Sequence, residues 1–430
     1  MTPKTHGIFA VLVHRPVGPL LVLAFAARTS AAVLPIALLL ALADRYGYGR
    51  AALVGGSTTL VLALLVPLRG RLLDRAGHRH ALPVMGACAM VLTATAAVSV
   101  AARWPWWTTL LFVLAANMSS PPLNAALRAS WRHLVTSPQD LKAVHSADSI
   151  LEEAGFVAAP LTAGALIALL GPVPAYETAA AMFLVVIALY LTAARAYGLT
   201  PTRASAAPVR TGTARHAHQW LGPLAQPRIV MIMLPLLVMG CLFGGMGIYV
   251  PAYTQHEHAT ALIGPLLAAT SAGGVIGGLL YAVLPTNRLP LWTLYRLLTA
   301  GFALPACFLL LARPPWALGT LLLLSGLFVT PLFISAFLLI DAHATDDVRT
   351  EANTWVGSST DVCNGITAIV IGALTAQQHF TNALTVLTGC AAFGLLTAAL
   401  LPAPTPPTTT QPATGVPAPA TPADDVQAHT

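Results

Sequence analysis

The sequence predicts an all-α membrane protein whose twelve transmembrane helices form two pseudo-symmetric six-helix bundles. Three observations carry this expectation. Of 430 residues, 56% are hydrophobic and only 9% are charged, whereas a soluble domain carries roughly 25% charged residues. The chain cannot coat a water-facing surface with so few charges, and a soluble enzyme, a nucleic-acid binder and a disordered chain are all excluded. Next, the chain reads as twelve apolar runs close to the ~20 residues a membrane helix needs. Finally, one polar segment, 196–226, separates six of these runs from the other six, where a linker between two bundles belongs.

In chain order the expected spans are 17–43, 51–68, 81–101, 106–128, 143–170 and 174–194, then 228–252, 260–284, 291–312, 315–340, 352–376 and 380–401. The first is too long for the apolar core of a signal peptide and runs to Asp44 without a convincing cleavage site, so it reads as a retained span. The uncharged run 314–340 contains Pro331, which membrane helices tolerate better than soluble ones. The domains follow: an N-terminal bundle over 1–195, a cytoplasmic central loop over 196–226, a C-terminal bundle over 227–401 and a tail over 402–430. The tail is so rich in Pro and Thr, and so poor in bulky apolar residues, that it should be disordered.

The formal charge of +7 comes from 22 Lys and Arg against 15 Asp and Glu. No basic run or interleaved aromatic patch accompanies it, so no nucleic-acid partner is expected. The arginines instead punctuate the apolar runs. With the N-terminus inside, only Arg45, Arg50, Arg103 and Arg313 fall outside, and every other basic residue except Arg28 lies on the inner side. The positive-inside rule then puts both termini in the cytoplasm of a multi-pass protein of the cell membrane. The cysteines, Cys88, Cys241, Cys307, Cys363 and Cys390, sit in apolar runs without metal-ligand or CxxC spacing and read as small buried residues. No metal and no cofactor is expected.

The strongest local signal follows the second run: Gly70-Arg71-Leu72-Leu73-Asp74-Arg75-Ala76-Gly77-His78-Arg79. Physically it is a tight inner turn between antiparallel helices. Gly70 allows close approach, Gly77 supplies a positive φ, and the arginines face anionic lipid. Asp74 is well placed to meet the positive N-terminus of a neighbouring helix. This decapeptide resembles the loop 2–3 signature of the major facilitator superfamily, G-x-L-x-D-R-x-G-R-R/K, and six plus six helices fit the same family over about 1–401. The resemblance implies a secondary transporter working by alternating access. Asp74 would then close the cytoplasmic gate against helix 11, with Gly70, Arg75, Gly77 and Arg79 in their family positions. His78 departs from the usual Arg and would make the contact pH-sensitive. In the fifth run, Gly155, Pro160 and Gly164 resemble the exporter-associated motif GxxxGPxxGG, with Ala159 and Ala163 replacing two glycines. Small residues there suit close packing against the opposite bundle, and Pro160 suits a bend. The substitutions leave the direction of transport open, with export weighed against packing that carries no directional meaning. Gly273-Gly274-Val275-Ile276-Gly277-Gly278 in the eighth run reads as packing.

Ionisable residues at membrane depth are costly and mark sites that face a cavity or a partner. By helix rise, Arg28 lies about 16 Å into the first span, and Glu152, Glu153 and Asp361 lie about 14 Å into theirs. These four form the expected proton and substrate pathway, with Arg28 expected to pair with Glu152, alternatively as a purely structural pair. Asp148 precedes Glu152 by one turn on the same face. Aligning Gly164-Ala165-Leu166 with Gly372-Ala373-Leu374 sets Glu153 opposite Asp361, as a repeat would. Asn117, Ser119, Ser120 and Asn124, interrupted by Pro121-Pro122, are candidates to line a cavity. Tyr249 with Tyr253 and Thr354 with Trp355 are candidate surfaces for an amphiphile. His256-Glu257-His258 reads as a solvated outer loop.

The leading expectation is a monomeric, proton-coupled exporter of a small organic compound (drug or metabolite), an antiporter with no catalytic residues. No G-x-x-x-x-G-K-[ST] loop is present to bring ATP to the chain. An importer of a nutrient or metabolite is the alternative, and a polytopic membrane enzyme a remote one, since only Asp346-Asp347 beside His343 forms a loop cluster. A transport-dead sensor would have little reason to keep costly midplane charges. If Asp74 holds a gate, Asp74→Asn should lower transport about tenfold, within the reach of one charge–helix-terminus contact. Insertion should be unchanged, and flux measured at matched membrane abundance checks this; normal turnover removes Asp74 from the gate.

Overall fold

The computed structural model describes residues 17–76, 78–121, 123, 127, 131, 134–135, 138–197, 226–283, 289–312, 314–343 and 349–402. The expected central loop and tail fall almost entirely outside them. Among the described residues all regular structure is helical. The N-terminal half holds α1 (Val17–Tyr46), α2 (Tyr48–Ala76), α3 (His78–Ala101), α4 (Trp106–Ser119), α5 (Pro138–Leu170) and α6 (Pro172–Ala196). The C-terminal half holds α7 (Pro227–His256), α8 (Ile263–Val283), α9 (Leu291–Ala306), α10 (Pro315–Gly326), α11 (Val329–His343), α12 (Arg349–Ala376) and α13 (Phe380–Leu400). Gly47 and Gly171, at φ of 84° and 83°, turn the chain between α1 and α2 and between α5 and α6, a backbone region that suits residues without a Cβ.

Among the described residues, 10 segments are long and apolar enough to cross a membrane, α10 and α11 counting together as one. The remaining two expected spans correspond to α2, of 29 residues, and α4, of 14 residues. At 1.5 Å per residue α4 is only about 21 Å long, short of the ~30 Å hydrocarbon core; it stops just before Pro121. The long uncharged run also breaks. Pro331 has no N–H for the carbonyl of Leu327, four residues earlier, and the α-helical ladder is interrupted between α10 and α11, where the Phe328 N–H bonds the Ser325 carbonyl three residues back. The glycines of α8 pack on this break. A Cβ on Gly277 would lie 1.7 Å from the Leu327 carbonyl oxygen, and one on Gly273 2.8 Å from Gly326. Helix α7 runs on to His256, so that residue ends a helix instead of sitting in a loop.

The outer surface is apolar, with Leu169 80%, Trp316 74% and Leu311 73% exposed. Contiguous exposure of this kind suits lipid. Inside, α7 lies so close to α12 that a Cβ on Gly240 or Gly244 would stand 2.1 or 2.0 Å from the carbonyl oxygens of Thr360 and Asn364. In lipid, packing rather than a hydrophobic driving force holds helices together, and small residues permit it.

Two seams join the bundles. Along α2 and α12, Gly56 faces the Gly365 carbonyl, with 2.5 Å from a Cβ position to that oxygen, and Gly372 faces Ala52. Along α5 and α8, Gly164 meets the backbone of Gly264, 2.8 Å from a Cβ position to its Cα. The register that aligns Gly164 with Gly372 also aligns Gly56 with Gly264, so the seams are related as two copies of one contact. Both lie toward the end of the molecule away from Val17 and Leu401.

Gly244→Val should destabilise the fold by about 1–3 kcal/mol, as overpacking does. Gly247→Ala should be neutral, because nothing stands within 4 Å of a Cβ there. Melting temperatures in one detergent decide, and equal losses would contradict the seating of α7 on α12.

Candidate functional site

Helix α1 carries one buried cation. Arg28 is 7% exposed and Asp148 of α5 is 1% exposed. The guanidinium grips this carboxylate in fork geometry: Nη1 stands 2.9 Å from Oδ1 and Nη2 donates to Oδ2 at 2.9 Å. Nη1 also donates to the Asp148 backbone carbonyl at 3.1 Å. Glu152, one turn further along α5, places Oε1 3.9 Å from Arg28 Nε, too far for a hydrogen bond but within ion-pair range. The expected Arg28–Glu152 pairing is therefore secondary, and Asp148 is the chief partner.

The arrangement follows from helix geometry. Asp148, Glu152 and Gly155 recur at four and three residues and share one face of α5. Gly155 lets that face lie on α1: a Cβ there would be 3.6 Å from Arg28 Cβ and 3.5 Å from Thr29 Oγ1. Glu153 lies about 100° around the helix, and its side chain is outside the described residues. One guanidinium thus faces two carboxylates, one of them 28% exposed.

Asp361 stands apart from this group, in the other bundle. Its neighbours Thr360 and Asn364 face the α7 glycines while Gly365 faces Gly56 of α2, which turns Asp361 to the side between these contacts. It is exposed, on the opposite side of α12 from the exposed Val370. Among the described residues no ion pair includes it, so the four midplane charges do not form one cluster.

The other expected residues divide. Gly70, Asp74 and Arg75 belong to the last turns of α2, and His78 and Arg79 to the first turn of α3. Their side chains, and Gly77 altogether, lie outside the described residues. Pro160 and Gly164 stand on the seam, with the Pro160 carbonyl oxygen 2.9 Å from a Cβ position on Gly264. Asn117 and Ser120 line a cavity in the N-terminal bundle, while Asn124 is outside the described residues. Tyr249 and Tyr253 stack at 5.5 Å, and both pack against Phe380. His256 Nδ1 lies 3.4 Å from Glu257 Oε1 at the exposed end of α7.

Sequence reasoning did not foresee that three cysteines meet. Cys241 of α7 lies near Cys363 and Thr367 of α12 and Cys390 of α13. They are 27 or more residues apart, so no spacing rule could reveal them. Among the described residues no group of three His, Cys, Asp or Glu has the geometry to hold a metal ion.

Truncation separates the partners of Arg28. Arg28→Ala should destabilise the protein by about 3–5 kcal/mol, because it leaves Asp148 buried and unpaired. Arg28→Ala/Asp148→Ala should recover about half of that loss, while Arg28→Ala/Glu152→Ala should recover little. Thermal unfolding of the four proteins in one detergent reads the difference, and equal rescue by both double variants would contradict the asymmetry.

Comparison with known proteins agrees with this architecture. The nucleoside transporter NupG is 15% identical with a TM-score of 0.68, covering 90% of this chain and 98% of that one. A bacterial homologue of the iron transporter ferroportin in an inward-facing state is 16% identical with a TM-score of 0.70, at 90% and 98% coverage. A bacterial homologue of the human lysosomal transporter Spinster, inward-facing and unoccupied, is 14% identical with a TM-score of 0.61, again at 90% and 98%. At such identities the likeness concerns the fold alone. No curated protein matches the sequence. The sequence profile of the Major Facilitator Superfamily matches residues 20–362. The chain belongs to the Major Facilitator Superfamily and is a membrane transporter, not an enzyme.

Proposed function

We propose that this transporter exports a small organic compound, a drug or metabolite, from the cytoplasm across the cell membrane in exchange for protons. The observation that carries the proton coupling is the buried Arg28 set between Asp148 and Glu152. Glu152, the more exposed of the two acids, is the group we assign to carry the proton. Because isolated charge is costly there, the protonated and deprotonated forms favour different surroundings, which is the differential interaction that coupling requires. Asp361 is the second candidate, exposed at the inner edge of the α2–α12 seam. Glu153 stays in the proposed pathway as the residue that the repeat sets opposite Asp361.

The distribution of arginines supports cytoplasmic termini. On that orientation the seams close the outer end, as in an inward-facing conformation. Asp74 and the turn around it would take over closure at the inner end when the bundles rock, with His78 adding a pH-dependent charge. Export is favoured by the small residues and Pro160 in α5, which hold that helix against α8. We read the working unit as a monomer, since each seam is closed by the chain's own halves.

Everted membrane vesicles test the proposal. An acidified interior should drive accumulation of the substrate identified by a resistance screen in pump-deficient cells, and a protonophore should abolish it. Glu152→Gln and Asp361→Asn, at wild-type abundance, should lower the proton-driven component about tenfold or more, the equivalent of 1.4 kcal/mol. If both variants still concentrate substrate in a protonophore-sensitive way, these acids are not the coupling site. Uptake confined to right-side-out vesicles would make the protein an importer.

A further inference from the structure

The N-terminal bundle holds a half-open cavity of about 560 Å³. Interiors are packed so densely that few voids exceed a water molecule, and this one falls within the ~300–1,000 Å³ of small-molecule sites. Its described lining residues all lie between Ala27 and Phe183, on α1, α2, α3, α4, the turn after α4, and α6, and none comes from the second bundle. It is therefore distinct from the space between the bundles.

The wall has a definite chemistry. Among the described residues no charged one lines it, and most of the wall is aliphatic, with Thr58, Thr59, Thr93, Asn117 and Ser120 among the few polar side chains. Arg28 belongs to the same helix as Ala27 and Ala31 of the wall but turns away to α5. Several polar groups have already committed a hydrogen. Thr58 Oγ1 donates to the Val54 carbonyl at 2.7 Å, Thr59 Oγ1 to that of Gly55 at 3.1 Å, and Asn117 Nδ2 to that of Val113 at 2.9 Å. Oxygen lone pairs are what remain on the two threonines, while Asn117 keeps its carbonyl oxygen and a second N–H. Backbone adds more acceptors. Pro35 has no N–H for the carbonyl of Ala31, and both residues are on the wall. Ser120 and Pro121, where α4 stops, are on the wall as well. Irregular backbone at membrane depth is tolerated where it is buried in protein or lines a cavity.

From this wall we infer that the chamber is a ligand site for an uncharged, mainly apolar molecule that carries N–H or O–H donors, such as a neutral aromatic amine or a phenol. A cation would enter without a carboxylate to meet it and an anion without a basic group, each at a heavy desolvation cost. A purely hydrocarbon ligand would leave the oxygen acceptors unpaired. The inference names a substrate class for the proposed exporter and rests on that reading only for the claim that the bound molecule is transported.

Equilibrium binding tests it without any gradient. The full chain in lipid nanodiscs is titrated with N-phenyl-1-naphthylamine, a neutral fluorescent amine with one N–H. Saturable binding is expected. The isosteric 1-benzylnaphthalene, with CH₂ in place of N–H, should compete about tenfold more weakly, the usual scale for one unpaired buried acceptor. Gly55 lines the chamber, and nothing lies within 4 Å of a Cβ there, so Gly55→Leu fills the space while improving helix propensity. This variant should keep or raise the melting temperature and lose about tenfold or more in affinity. Asn117→Leu supplies the same readout should Gly55→Leu fail to fold. No saturable binding by the wild type, equal competition by the two probes, or wild-type affinity in the filled variant overturns the inference. A protein that binds in this way but shows no response to a proton gradient keeps the chamber and loses the coupling reading instead.

Discussion

The closest contact between the halves of this protein is a pair of backbone-to-backbone seams, and much else depends on them. Lipid tails are as apolar as leucine, so no hydrophobic force drives one bundle onto the other. Contact must come from close approach, and at Gly56–Gly365, Ala52–Gly372 and Gly164–Gly264 the absence or smallness of side chains provides it. Side chains also seat there, Ile369 against Gly56 and Leu60 against Gly365. Within each bundle the packing is of a different kind, with Trp131, Tyr176, Tyr190, Tyr295 and Phe302 each buried to below 2% exposure.

Helix α1 shows how the bundle keeps charge and cavity apart. Arg28 looks toward α5 and is neutralised there, while Ala27, Ala31, Leu34 and Leu38 of the same helix form uncharged wall. Were Arg28 turned by one residue, its charge would stand in the chamber with its counter-ions on the wrong side. Prolines set the polarity of that chamber as much as side chains do. Pro35 removes an N–H from α1, and the Ala31 carbonyl then needs another partner.

The architecture was largely legible in the sequence, since apolar runs of membrane length report on the solvent and not on distant partners. Periodicity could not foresee where runs end or break. The break between α10 and α11 needed Pro331 to be read together with the glycines of α8, which leave room for it. In the site, the stripe Asp148–Glu152 was visible as an i, i+4 pair, but which acid takes Arg28 depends on the relative height of two helices, a tertiary quantity. The meeting of Cys241, Cys363 and Cys390 is likewise a product of packing. The short Gly-Ala-Leu repeat was legible, and its physical meaning emerged when both copies proved to lie on seams.

These features meet in α5, which runs unbroken from Pro138 to Leu170. Its first half holds Asp148 and Glu152 against Arg28, its middle holds Gly155 against α1, and its second half holds Pro160 and Gly164 against α8. Asp148 and Gly164 are separated by 16 residues of helix, about 24 Å at 1.5 Å per residue. A helix is stiff over that length, so a shift at the carboxylates cannot be absorbed locally. Pro160, inside this helix, has no N–H for the carbonyl four residues earlier. On the proposed reading, a proton added at Glu152 changes how firmly the first half is drawn to α1, and α5 carries that change to the glycine contact with the other bundle. The Arg28–Asp148 pair lies wholly within one bundle and need not break when the halves rock. Coupling then acts through the inclination of α5 and not through rupture of a salt bridge between the bundles.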